Sequence, residues 1–309
     1  MKKLYFIMLL LSLCSSFTSC VTINSKTECE NEIEVKKNQN GSVTIFNIKS
    51  ICDTNIRTYK DFTYNMERKT VTYNEIQEDS VIFGIMSPVE NAKNHFILMI
   101  SGFFSSWYNI APLKAEFNNA GYPIVEVNYR GTSSMDMYEK TFGIKEVDDF
   151  LCIVKYLKET YGANTKISVY ANSFGGLIAL NAINRTEDIY KVCYEAFLYD
   201  LDKIEQKFLD GGPAARLLVG DMSFKNHQYF YPKVQLPIIN PKLPMLFYWG
   251  ENDDQAPKKD IETVRELLKD KNATLKIVPK VGHSFRFGYP LTQQEVDQHN
   301  MSIVRFLTE

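Results

Sequence analysis

The chain has 309 residues, 45% of them hydrophobic, 13% aromatic and 23% charged, which is enough for a large buried core and excludes a low-complexity or fibrous chain. Lys and Arg total 35 against 37 Asp and Glu, a net charge of −2. Without a basic excess nucleic acid is excluded as the main partner, and 4 histidines with scattered cysteines leave little room for a zinc site.

The chain opens with Lys2 and Lys3, then an apolar run from Leu4 to Leu13. The run has the length of a signal-peptide core and is too short to span a bilayer. It leads into Ser15-Ser16-Phe17-Thr18-Ser19-Cys20. A small residue just before a cysteine resembles the end of a bacterial lipoprotein signal, although Phe17 stands where Leu is usual. The resemblance implies removal of residues 1–19, lipidation of Cys20 and export to a bacterial membrane surface that the chain does not span. Plain secretion after cleavage near the same serines is the alternative. Export makes disulfides available. Cys29 and Cys52 lie ahead of the core and could close a loop, whereas Cys152, in an apolar helix stripe, and Cys193, in an apolar strand, read as buried thiols.

Residues 20–40 are polar and charged and read as a tether. A single domain is expected over 41–309. It begins with alternating strand patterns over Ser42–Ile48, Thr70–Tyr73 and Val81–Ile85, which predict an antiparallel edge. After Pro88 short apolar runs alternate with helical stretches. The runs are Phe96–Ile100, Ile124–Val127, Ile167–Tyr170, Val192–Leu198, Met245–Trp249 and Leu275–Val278, as in strands buried on both faces. Helices are predicted over Val147–Tyr161, from Pro257 through Leu268, and after the capping box Thr292-Gln293-Gln294-Glu295. This alternation predicts an α/β fold with a mostly parallel, doubly wound sheet. Residues 199–240 break the rhythm and are expected to form a small cap over the C-terminal edge of the sheet, where ligands bind in such folds. Tyr194, Glu195, Tyr229, Phe230 and Tyr231 are expected to border that pocket.

The strand at Ile167–Tyr170 runs into Ala171-Asn172-Ser173-Phe174-Gly175-Gly176 and then a helix. A small-x-Ser-x-Gly at a strand-to-helix turn is the context of a nucleophile elbow. The turn exposes the serine hydroxyl and aims the N–H of Phe174, at the helix N-terminus, toward a developing oxyanion. A hydroxyl is a weak nucleophile and needs a base within hydrogen-bond reach, oriented by an acid. His283 follows the strand ending at Val278, and Asp253 follows the strand ending at Trp249, with Glu251 and Asp254 as neighbouring carboxylates. His95, His227 and His299 read as surface or structural residues.

The order Ser173, Asp253, His283, each after a predicted strand, resembles the α/β-hydrolase superfamily. That family's Gly-x-x-Asp spacing with Pro four residues later selects Asp253. The resemblance also implies a second oxyanion donor in Ser101-Gly102-Phe103, namely the N–H of Phe103, with Ser101 where His is usual. Closer still, Asn128-Tyr129-Arg130-Gly131-Thr132, Asp148-Asp149, Gly250 to Pro257 and Gly282-His283-Ser284-Phe285 are similar to segments of the prolyl-oligopeptidase family. Fewer than a hundred residues precede the core, too few for that family's β-propeller, so an esterase-like serine hydrolase acting on small or medium esters, thioesters or amides is expected. It needs no cofactor and no metal; its partners are an ester or peptide substrate and a membrane surface. Peptide hydrolysis, carbon–carbon bond hydrolysis (Asn172-Ser173-Phe174-Gly175-Gly176 also resembles that elbow), acyl transfer and a non-catalytic binding lipoprotein are the alternatives.

Overall fold

The six apolar runs after Pro88 become six adjacent parallel strands of one sheet. The computed structural model describes residues 32–37, 43–65, 70–88, 92–100, 102, 111–128, 143–210, 228–283, 285 and 291–309. In chain order these form strands β1 (Glu32–Lys37), β2 (Val43–Asn65), β3 (Thr70–Pro88) and β4 (His95–Ile100), helix α1 (Ala111–Asn119), β5 (Ile124–Asn128), α2 (Ile144–Tyr161), β6 (Lys166–Asn172), α3 (Phe174–Ile183), β7 (Lys191–Glu195), α4 (Leu201–Asp210), the short α5 (Pro232–Gln235), β8 (Met245–Gly250), α6 (Lys258–Leu267), β9 (Ala273–Val278) and α7 (Gln293–Thr308). Among the described residues the sheet runs β1-β2-β3-β5-β4-β6-β7-β8-β9.

The inner parallel strands β4, β6, β7 and β8 are mostly apolar because their two faces feed two cores, whereas β9, expected from Leu275–Val278 to be buried on both faces, is the sheet edge and has no fully buried residue. On β4, Phe96, Leu98 and Ile100 belong to the core that α2, α3 and α6 also line, while Ile97 and Met99 belong to the core lined by α1 and α7. Each such side chain contributes about 1.5–3 kcal/mol when fully buried. The chain crosses from β4 to β5 on one side, then returns past β4 to β6. Strand order therefore reverses between β4 and β6, and the reversal leaves a crevice at their C-terminal ends.

Several boundaries differ from the sequence pattern. Thr70–Tyr73 and Val81–Ile85 belong to one strand, because backbone pairing of β3 with β2 continues through the polar residues between them. Glu32–Lys37, within the stretch read as a tether, pairs antiparallel with β2. β7 stops at Glu195 because Ala196 turns the chain with φ 54. Within 199–240 the described parts are helical, and Phe230, Tyr231 and Leu236 are buried against the α3 side of the sheet. Tyr194 and Glu195 are wholly buried, so neither borders a pocket. Cys193 is a buried thiol and Cys152 a half-buried one. Cys29 and the Cys52 side chain lie outside the described residues. No helix among the described residues is long and apolar enough to cross a membrane.

His95 begins β4 at the end of the sheet opposite the crevice. Its Nε2 lies 2.8 Å from Ser168 Oγ, and that hydroxyl donates its one proton to the Leu307 carbonyl at 2.8 Å. Ser168 must then accept from His95, so Nε2 carries a proton. Burial, then Lys166, Lys191 and Lys93, push this imidazole from 6.5 down to about 4. Between those values the unfolded chain binds a proton that the folded protein refuses, so stability falls as pH is lowered. The loss amounts to about 3 kcal/mol across that window. His95→Gln keeps the donor and removes the titration; between pH 7 and 5 its Tm, by calorimetry, is expected to fall less than that of the wild type.

Candidate active site

β6 ends at Asn172 and α3 begins at Phe174, so Ser173 alone makes the turn. It does so at φ 52, ψ −119, which for a residue with a Cβ costs about 1–3 kcal/mol. The Ser173 N–H donates to the Glu195 carbonyl at 2.9 Å, and the Gly176 N–H donates to the Ser173 carbonyl at 2.9 Å. A Cβ on Gly176 would lie 3.0 Å from the Phe197 ring, so glycine lets α3 start close against the end of β7. The backbone amide of Phe174 sits at the first position of α3, at the positive end of the helix dipole.

The loops after β8 and β9 bring the other two groups. His283 Nε2 lies 2.8 Å from Ser173 Oγ. His283 Nδ1 lies 2.9 Å from Asp253 Oδ2 and 3.1 Å from Oδ1. The Asp253 side chain is wholly buried, and its Oδ1 accepts the N–H groups of Gln255 at 2.9 Å and Ala256 at 3.1 Å. A buried carboxylate only accepts, so Nδ1 carries the imidazole proton and Nε2 presents a lone pair to the serine hydroxyl. Asp254 points elsewhere. It is largely exposed and bonded to Lys207 of α4 at 2.6 Å, which holds its carboxyl below the usual carboxylate range. Glu251 accepts the Lys280 N–H at 3.0 Å.

The acid and base loops are laced together. Glu251 N–H donates to Val278 O at 2.9 Å and Asn252 N–H to Val281 O at 2.8 Å. A Cβ on Gly250 would stand 2.3 Å from both the Val281 and the Gly282 carbonyl oxygens, and backbone cannot yield as a side chain can. Gly250→Ala is therefore expected to pry the loops apart, lowering stability by about 1–3 kcal/mol and kcat more than tenfold. Thermal melts and ester kinetics on the same preparation check both effects.

Of the residues singled out in the sequence, the structure brings Ser173, His283 and Asp253 into one hydrogen-bonded line and places Phe174 at the start of α3. Phe103 and Cys20 lie outside the described residues, as does His227; Gly102, beside Phe103, is buried at the end of β4. His95 and His299 are buried away from the Ser173 hydroxyl, bonded to Ser168 and Glu195. Glu195, like Tyr194, was expected at the pocket and is wholly buried. Its signal was a lone carboxylate inside the apolar run Val192-Cys193-Tyr194-Glu195-Ala196-Phe197. Among the described residues no group of three or more His, Cys, Asp or Glu side chains could hold a metal ion.

The fold is shared with solved hydrolases. An esterase from Pyrococcus furiosus is similar with a TM-score of 0.60 and 19% identity, over 85% of this chain and 90% of that one. An esterase from Exiguobacterium antarcticum is similar with a TM-score of 0.55 and 16% identity, over 75% of this chain and 97% of that one. A puromycin-hydrolyzing peptidase from Mycobacterium tuberculosis is similar with a TM-score of 0.59 and 14% identity, over 89% of this chain but 45% of that one. No curated protein sequence matches the chain. The sequence model of the prolyl oligopeptidase family matches residues 108–307, a span that takes in the elbow, the acid loop and the base loop. By that match the chain belongs to the prolyl oligopeptidase family and is a serine hydrolase.

Proposed function

We propose that the protein is an exported, lipid-anchored esterase that works through an acyl-enzyme on Ser173. The hydrogen-bond chain Ser173 Oγ–His283 Nε2, His283 Nδ1–Asp253 carries this reading. As Ser173 Oγ bonds to the substrate carbonyl carbon, its proton passes to His283 Nε2, and Asp253 stabilises the imidazolium. The carbonyl oxygen gains negative charge and is met by the N–H groups of Phe174 and Phe103. The carbon–oxygen bond to the leaving alcohol then breaks, and His283 returns the proton to that alcohol. Water, deprotonated by the same imidazole, releases the acid and restores the Ser173 hydroxyl. The lysine-led apolar run and the Ser19-Cys20 that follows it support attachment to a bacterial membrane surface through lipid on Cys20.

Coverage favours an ester over a peptide. The esterases match this chain over nearly their whole length, the puromycin-hydrolyzing peptidase over less than half of its own. Family membership favours the second reading, cleavage of a short peptide amide by the same groups. The purified protein is to be labelled with a fluorophosphonate and assayed on p-nitrophenyl esters from acetate to decanoate, beside aminoacyl and prolyl p-nitroanilides. Labelling, with ester turnover far above anilide turnover, is the expected result. Anilide preference would transfer the proposal to the peptide reading, and a folded protein that never labels would overturn both.

A further inference from the structure

A carboxylate with no exposed surface lies directly behind the elbow. Glu195 ends β7, beside β6. Its backbone carbonyl accepts the Ser173 N–H at 2.9 Å and the Asn172 amide at 3.3 Å. Its side chain grips the same segment: Oε2 accepts the Tyr170 hydroxyl at 2.5 Å and the Asn172 amide at 3.3 Å. Its other oxygen, Oε1, lies 2.7 Å from His299 Nε2, on α7. The carboxylate only accepts, so Nε2 carries the proton.

His299 in turn reaches the base loop. Its ring stacks on Phe285 with centroids 5.1 Å apart and planes at 18°, and stands edge-on to Tyr248 at 4.5 Å. Phe285 is buried and lies two residues beyond His283. The nucleophile's turn and the base's loop thus meet at one imidazole, the first at its Nε2 edge and the second on its face. Packing alone does not account for the pair, since apolar residues of similar volume at a buried polar site are often as stable or more so. What directional hydrogen bonds add is a fixed distance between two loops from separate strands.

We infer that Glu195 and His299 are a positioning pair that sets the 2.8 Å Ser173–His283 contact. This rests on reading Ser173 as nucleophile and His283 as base. Displacement of reacting groups by about 1 Å can cost a hundredfold in rate.

The test compares His299→Leu, His299→Gln and Glu195→Gln with Ser168→Ala in the full-length protein. Ser168→Ala removes a buried hydrogen bond from β6, the strand beside β7, to the same helix, together with the bond from His95, at the end of the strands opposite the elbow. Each is measured for kcat and KM on the best p-nitrophenyl ester, for fluorophosphonate labelling rate and for Tm. His299→Leu and Glu195→Gln are expected to lower kcat and labelling rate by about 10–100-fold with KM within twofold. His299→Gln, which keeps an N–H donor, recovers part of the loss. Ser168→Ala lowers Tm and leaves both rates unchanged. If Glu195→Gln does not fold, the two His299 variants decide. Rates within twofold of wild type in folded His299→Leu, or an equal loss in Ser168→Ala, overturn the pair alone. A wild-type protein that neither labels nor turns over overturns the reading of Ser173, and the pair with it.

Discussion

Ser173→Ala is expected to lower kcat about a millionfold, to abolish fluorophosphonate labelling and to leave the fold intact. Alanine keeps the Cβ, so the strain at φ 52 stays and the backbone bonds to Glu195 and from Gly176 are untouched. What leaves is one half-buried hydroxyl and its hydrogen bond to His283, worth about 1 kcal/mol of stability. Tm should therefore move by a few degrees while the nucleophile disappears. A residual rate about 10³–10⁴ above water would remain from the oxyanion donors and substrate binding. Parallel melting curves and burst-phase kinetics separate this from misfolding. Activity retained within tenfold would mean that Ser173 is not the attacking group.

Asp253→Asn should cost about 10⁴-fold in kcat, with little change in KM. The surroundings dictate how the new amide lies. Oδ1 already receives two backbone N–H groups, from Gln255 and Ala256, so the amide oxygen must occupy that position. Its NH₂ then faces His283 Nδ1, where Oδ2 now lies. A donor there forces Nδ1 to accept and moves the imidazole proton to Nε2, which can no longer take the serine proton. Asp254→Asn, one residue away, loses only an exposed pair with Lys207 and is expected to stay within twofold of wild type. The ratio of the two variants' kcat values checks the assignment without reference to stability.

The parallel strands were legible because burial on both faces leaves no polar alternation, as in Phe96–Ile100 and Met245–Trp249. Ser173 was legible because a one-residue turn between a strand and a helix demands small neighbours. Asp253 and His283 were legible from chain order and from loops that follow strands. The full lengths of β2 and β3 were not, because backbone ladders carry strands through polar residues such as Asn74–Ser80. Nor was the Glu195–His299 pair, whose members stand 104 residues apart and meet only once α7 packs on the sheet. The need for glycine at 250 was hidden too, because the carbonyls it spares, at 281 and 282, belong to the next loop.

Strand order also sets a timetable for reactivity. Ser173 is synthesised first, and the imidazole that contacts it comes 110 residues later. At 5–20 residues per second, the usual pace of translation, roughly 5–20 s pass between them. On the proposed mechanism the serine is an ordinary alcohol throughout that interval, because its proton acceptor does not yet exist. In the finished fold His283 follows β9, which pairs with β8, so on this mechanism the hydroxyl gains its base only as the sheet is completed. An unfinished chain is, on the proposed mechanism, chemically silent, and bond-breaking activity reports that the last parallel strand has docked.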